Sequence, residues 1–214
     1  MFRNLTIARK LAGSFALLAV IVIALALVSI DRLATVNATA SAMATRSLPA
    51  TRMLGQIDAG FADYRRLLAG HILFADEAAM GRYERDIAGL NDRLDKIFIA
   101  YEPLIASGEE RRMFAAVTDG LKRYRGEGDR VMELSRPGRK DEALAYTTGP
   151  AAKIYAEARK ALDEMLEHSL AAARTAAEQG DAVYSASRWG LIAAGMVATL
   201  LTTLFAVSLR AAIS

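Results

Sequence analysis

The sequence predicts an all-α protein: an antiparallel up-down four-helix bundle flanked by two transmembrane helices. Three observations carry this expectation. Residues 11–30 and 189–209 contain no charged side chain. Between these runs, apolar or small residues recur at steps of three and four along four long stretches, the period of a helix that buries one face. That segment also lacks any stretch alternating polar and apolar with period two, which a half-buried strand would show.

The two uncharged runs come first because they explain the composition. Of 214 residues, 53% are apolar and 24% charged, yet the mean hydropathy is +0.20, so the apolar residues are concentrated rather than spread. At about 1.5 Å of rise per residue, each run is long enough for a hydrocarbon core of roughly 30 Å. Tyr184 and Trp189 would mark one interface, where amphipathic rings collect. A cleavable signal peptide is the competing reading of residues 11–30, with Ala38, Ala40, Ala42 and Ala44 imitating a cleavage site. The run exceeds the ~7–15 residues of a signal-peptide core, and Asp31 and Arg32 intervene before the alanines, so an uncleaved anchor is expected.

Charge then orients the chain. The tail 1–10 carries Arg3, Arg9 and Lys10 without an acidic residue, and Arg210 follows the second run. Positive flanks favour the cytoplasm, which puts both termini there and residues 31–188 outside. That outer segment holds 23 Lys and Arg against 24 Asp and Glu, a net of −1, and the four flanking cations bring the chain to +3. The pI near 9.3 therefore reports topology, and no nucleic-acid partner is expected.

The helices of residues 31–188 follow in order. The first seam runs Leu33, Val36, Ala40, Met43, Ser47, Ala50, Leu54, Ile57, Phe61, Tyr64 and Leu68, and stops at Phe74-Ala75-Asp76, where Asp76 can cap the next helix. The second holds Met80, Tyr83, Ile87, Leu90, Leu94, Ile97, Tyr101 and Leu104, ending near Pro103 and Ser107-Gly108. The third holds Phe114, Val117, Leu121, Tyr124, Gly128 and Val131 and closes at the turn signal Arg136-Pro137-Gly138. A short helix over 139–148 precedes Gly149-Pro150. The fourth seam is alanine-rich: Tyr155, Ala158, Leu162, Met165, Ser169, Ala172, Ala176, Val183 and Ala186. Four such helices with short connections make an up-down bundle, and core packing accounts for most seam residues.

Catalytic chemistry is not signalled. Zero cysteines exclude disulfides, thiolate catalysis and cysteine-based metal sites. No phosphate loop, HExxH or GxSxG pattern occurs, and Gly126-Glu127-Gly128 lies in a helical seam with Val131 where a dinucleotide fingerprint wants glycine. The two histidines, His71 and His168, would have to meet in space to share a metal. No enzyme activity, cofactor or metal is expected. A ligand site in such a bundle needs a few convergent polar groups, typically an arginine that grips a carboxylate with two hydrogen bonds. The first helix offers Arg46, Arg52, Arg65 and Arg66. With Leu54 at heptad position a, Arg65 falls at e beside the core, while Arg52 and Arg66 fall at f and face solvent. Arg65 is the predicted anion-binding residue, with Tyr64, His71, Tyr124 and Tyr155 as candidates to line the same space. The competing reading is a bundle-edge Arg65 paired with Asp58 or Asp63, and tyrosines that simply pack.

Specific stretches also resemble a known family. Phe2-Arg3-Asn4-Leu5-Thr6-Ile7-Ala8-Arg9-Lys10-Leu11, then a span, then Ser47-Leu48-Pro49-Ala50 followed by Leu54, Ile57 and Tyr64-Arg65-Arg66, are similar to the N-terminal part of methyl-accepting chemotaxis proteins with a four-helix-bundle sensor domain. Lys140-Asp141-Glu142-Ala143-Leu144 ahead of Gly149 adds to the likeness. The resemblance implies a bacterial inner-membrane receptor, a homodimer whose periplasmic bundle binds a small ligand or a ligand-loaded binding protein. It also implies that 210–214 begin a cytoplasmic linker leading to a kinase and adaptor complex. The arginine pattern of the amino-acid-sensing members is not matched, so no binding residue carries over. The same sensor type occurs on histidine kinases and cyclic-dinucleotide enzymes, and a non-sensory membrane adaptor bundle remains the alternative.

Overall fold

The computed structural model of the chain describes residues 7–74 and 76–213. Most of the expected tail 1–10, Ala75 in the expected helix stop, and Ser214 lie outside the described residues. The elements are α1 (Ile7–Ala42), a π-helical turn (Met43–Ser47), α2 (Leu48–Leu73), α3 (Glu77–Tyr101), a 3-10 turn (Glu102–Leu104), α4 (Gly108–Ser135), α5 (Lys140–Thr148) and α6 (Pro150–Ile213). No strand occurs among the described residues, as the periodicity requires. The chain divides into two compact units, one of Met43–Arg174 and one of Met1–Ala42 with Thr175–Ser214.

The first unit is a four-helix bundle of α2, α3, α4 and the start of α6, with α5 packed alongside α4. Pairings across the helices fix its antiparallel register. Gly60 meets Leu94 and Gly70 meets Tyr83 between α2 and α3. Arg125 of α4 pairs with Asp95 of α3, and Arg136, just past the end of α4, pairs with Glu84 of α3. Gly120 faces Ala158 between α4 and α6, so closely that a Cβ at 120 would lie 2.9 Å from the Ala158 methyl. Asp58 of α2 pairs with Arg159 of α6. The core is built from the predicted seams: Leu54, Ile57, Phe61, Tyr64 and Leu68 of α2, Ile87, Leu90 and Leu94 of α3, Val117, Leu121, Tyr124 and Val131 of α4, and Ala158, Leu162 and Met165 of α6.

Each turn has a local cause. Asp76 caps α3 by accepting from the backbone amides of Ala78 and Ala79 at 3.4 and 3.0 Å. Ser107 caps α4 through the Glu110 amide at 3.0 Å. Glu110, three residues on, reaches back to the Ala106 amide at 2.7 Å and accepts from the Tyr101 hydroxyl at 2.8 Å, a variant of the capping box. Arg46 donates from Nε to the Leu104 carbonyl at 2.9 Å and ties the base of α2 to this turn. Gly138 takes the left-handed conformation, φ +82°, that turns the chain from α4 into α5.

At the opposite end of the bundle, Lys140 closes the C-terminus of α2. Its ammonium donates to the carbonyls of His71 and Phe74 at 3.1 and 2.9 Å and to the Ser135 hydroxyl at 2.7 Å. A cation on the last carbonyls of a helix complements its dipole. Burial pulls the Lys140 ammonium below its ordinary pKa.

The second unit contains only α1 and the C-terminal part of α6. Both helices are long and apolar enough to cross a membrane. Phe15, Val22, Ile23, Leu27, Met196 and Leu200 are all exposed. The seams do not stay buried here: Leu33 is 70% exposed, and Ala40 and Ala186 are exposed too. Two helices cannot enclose a face that a four-helix layer encloses, and α3 and α4 turn back at 102–107.

Candidate functional site

The bundle unit carries a run of aromatic rings that leads from its core to its surface. Phe61 stacks on Tyr124 at 6.5 Å between centroids, Tyr64 meets Tyr124 at 5.3 Å, and Tyr124 meets Tyr155 at 5.1 Å. Tilted and offset ring pairs at such separations are mutually favourable. The heptad positions of α2, α4 and α6 converge to make this run. Arg65 completes it on the outside, with its guanidinium 5.0 Å from the Tyr155 ring centroid.

Four of the five predicted residues, Tyr64, Arg65, Tyr124 and Tyr155, are thus brought into one cluster, in different roles. Tyr64 is fully buried and donates its hydroxyl to the Arg125 carbonyl at 3.3 Å. Burial, with Asp129 and Tyr124 adding to it and Arg125 opposing, pushes its pKa far up. Tyr124 is also buried, and its pKa rises to about 12, chiefly through desolvation, with Arg65 pulling the other way and Tyr155 adding to the rise. Only Tyr155 and Arg65 reach the surface, where they border a shallow groove of about 590 Å³ lined also by Ala152 and Ala156, by the cations Arg159 and Lys160, and by the carboxylates of Asp163, Glu164 and Glu167.

His71 is elsewhere. It is completely buried beneath the α2 C-terminus, with Nε2 3.0 Å from Glu84 Oε1, and it does not border the groove. Glu84 in turn accepts two hydrogen bonds from Arg136, at 2.8 and 2.7 Å. The Arg136 hydrogen bonds outweigh partial burial and, with the His71 contact, hold the Glu84 carboxyl at about 2.

Charge pairing separates the cations of the groove. Arg159 pairs with Asp58 and lies 3.6 Å from Asp163, and Lys160 lies 3.8 Å from Glu164. Asp63 pairs with Arg66 at 3.1 Å. Neither carboxylate considered as a partner for Arg65 is therefore bound to it, and Arg65 has no ion pair among the described residues. Its guanidinium can accept an anion in two parallel hydrogen bonds while Tyr155 supports one face, and Ala152 and Ala156 offer an apolar floor. Sequence reasoning missed Arg159 and Lys160 because it searched only the first helix for cations. The spacing of Tyr155 to Arg159, one helical turn, was the available signal.

The described residues thus combine a four-helix bundle with two helices long and apolar enough to cross a membrane. The chain belongs to the family of four-helix-bundle sensory modules for signal transduction, whose model matches residues 4–184. A comparison with curated proteins finds no match.

Proposed function

We propose that the chain is the sensor region of a transmembrane chemoreceptor. It acts as a homodimer in the bacterial inner membrane, with the bundle in the periplasm and both termini in the cytoplasm. A small anionic ligand binds at Arg65 and Tyr155, and the resulting displacement of α6 passes to a cytoplasmic output for chemotaxis. The observation that supports this reading is the double role of α6: it supplies Tyr155 to the groove and continues without a break to Ile213. Helix shifts of about 1–2 Å are an established switching mode, and an unbroken helix carries one without a further element. The ligand must bind the two positions of α6 unequally, or no signal results.

The test uses the full chain in lipid nanodiscs, where the absence of native cysteine leaves introduced thiols as the only ones. Aliphatic and aromatic carboxylates and amino acids are screened by thermal shift, since a specific ligand stabilises the state it binds. At least one should raise the midpoint, and Arg65→Gln should abolish that rise. The same compound should change the disulfide crosslinking rate of Leu33→Cys/Ala186→Cys. A flat screen would favour an adaptor bundle that binds only protein, and unchanged crosslinking with a bound ligand would remove the displacement mechanism.

A further inference from the structure

We propose that the two-helix unit holds an anionic phospholipid, with its phosphate between Arg32 and Arg188 and an acyl chain in the groove between α1 and α6. This goes beyond the sensory reading and rests only on that part of it which places the two helices in a membrane. The groove has a volume of about 990 Å³ and is bordered by Ile21, Leu25 and Val28 of α1 and by Leu191, Ala194 and Val197 of α6. Both arginines and Tyr184 line the same groove, and they sit where the two uncharged runs meet residues 31–188.

Three observations select this occupant. First, the groove is apolar along its length, because its serines are engaged on their own helices: Ser29 donates to the Leu25 carbonyl at 2.7 Å and Ser187 to the Val183 carbonyl at 2.6 Å. Hydrocarbon suits it, and a polar solute does not. Second, the charge about one turn in from one end of the groove, where Val36 and Tyr184 also line it, is unmatched. Neither Arg32 nor Arg188 forms an ion pair among the described residues, and Arg188 instead lies over the Trp189 ring at 5.9 Å. Neighbouring Asp31 does not border the groove. Two guanidinium groups without an ion pair, set toward one end of an apolar groove, match a phosphodiester that carries acyl chains. Third, a second copy seated isologously in this groove, as distinct from one paired through another face, would bring its own Arg32 and Arg188 against these two, placing like charges together where a lipid phosphate places opposite ones.

The test is native mass spectrometry of the full chain released from detergent micelles containing phosphatidylglycerol or phosphatidylcholine. Wild type should retain phosphatidylglycerol about tenfold more strongly. Arg32→Gln/Arg188→Gln should reduce that preference to near unity, and Arg32→Lys/Arg188→Lys should keep it. Ala24→Trp, which fills the groove without touching charge, should lower retention, with helix content by circular dichroism confirming the fold of each variant. Equal retention of both lipids by wild type, or a preference that persists in the glutamine variant, overturns the proposal. So does retention unaffected by Ala24→Trp. Efficient disulfide formation between two Ala194→Cys chains in phosphatidylglycerol would show that a second copy occupies the groove instead.

Discussion

Glu84 binds together three elements at one end of the bundle: its carboxylate takes two hydrogen bonds from Arg136 and lies 3.0 Å from the buried His71 ring. Its pKa falls from the ordinary 4.5 to about 2. A depressed carboxylate stabilises fully above the unfolded-state value and loses that contribution as pH falls through the folded-state value. Glu84→Gln should therefore cost about 1–2 kcal/mol at neutral pH, since Arg136 is solvent-exposed and the charge is partly screened. The thermal-midpoint gap between wild type and variant should narrow as pH drops from about 4.5 toward 2, and a gap constant with pH would show that the charge is immaterial. His71 also shows where sequence reasoning stops. Heptad spacing assigns a side chain its direction on a helix, and His71 does lie on the buried face. Spacing within one helix contains nothing about Glu84, thirteen residues away across a hairpin. Gly128 gives a second case: a Cβ there would collide with the Tyr64 hydroxyl and ring. Gly128→Ala should destabilise the chain by about 1–3 kcal/mol, and by less in a Tyr64→Phe background, where the hydroxyl part of the clash is gone. Equal costs in both backgrounds would place the strain elsewhere.

At the level of elements, the four seams were readable because burial on one helix face imposes a three-and-four spacing, and the turns were readable because Asp76, Pro137 and Gly138 are strong punctuation. The π-helical turn at Met43–Ser47 was not read, although its cause is visible. Pro49, at the start of α2, has no amide hydrogen to give to the carbonyl four residues earlier, and its ring crowds that carbonyl. The anchoring of α2 by Lys140 was equally hidden, since that contact spans 69 residues and the local pattern only marks a short helix. Lys140→Met keeps the aliphatic length and removes the donors to His71, Phe74 and Ser135. The change should cost roughly 1 kcal/mol and should raise hydrogen exchange in the last turn of α2 while leaving α3 and its Asp76 cap protected. Uniformly faster exchange across the bundle would mean that Lys140 supports global stability and not this helix end.

For the whole molecule, charge distribution makes a sharper statement than net charge. The four cations outside residues 31–188 account for more than the whole +3, because the segment between the runs is nearly neutral. Family membership establishes a sensory module and helix length permits two spans, but neither gives direction across the membrane. The proposed direction rests on Arg3, Arg9, Lys10 and Arg210, since positive flanks favour the cytoplasmic side. Arg32 and Arg188 lie at the other ends of the two uncharged runs and oppose this bias, so the proposed orientation requires the flanking cations to outweigh them. Single cysteines at Ala88 on the exposed face of α3 and at Ala8 in the tail test the balance without background labelling. In intact spheroplasts, a membrane-impermeant maleimide should modify Ala88→Cys and spare Ala8→Cys until the membrane is permeabilised. Replacing Arg3, Arg9 and Lys10 together with glutamine should produce a population in which Ala8→Cys is labelled from outside. Labelling of Ala8→Cys in the otherwise unaltered chain would reverse the orientation and place the Arg65 groove in the cytoplasm.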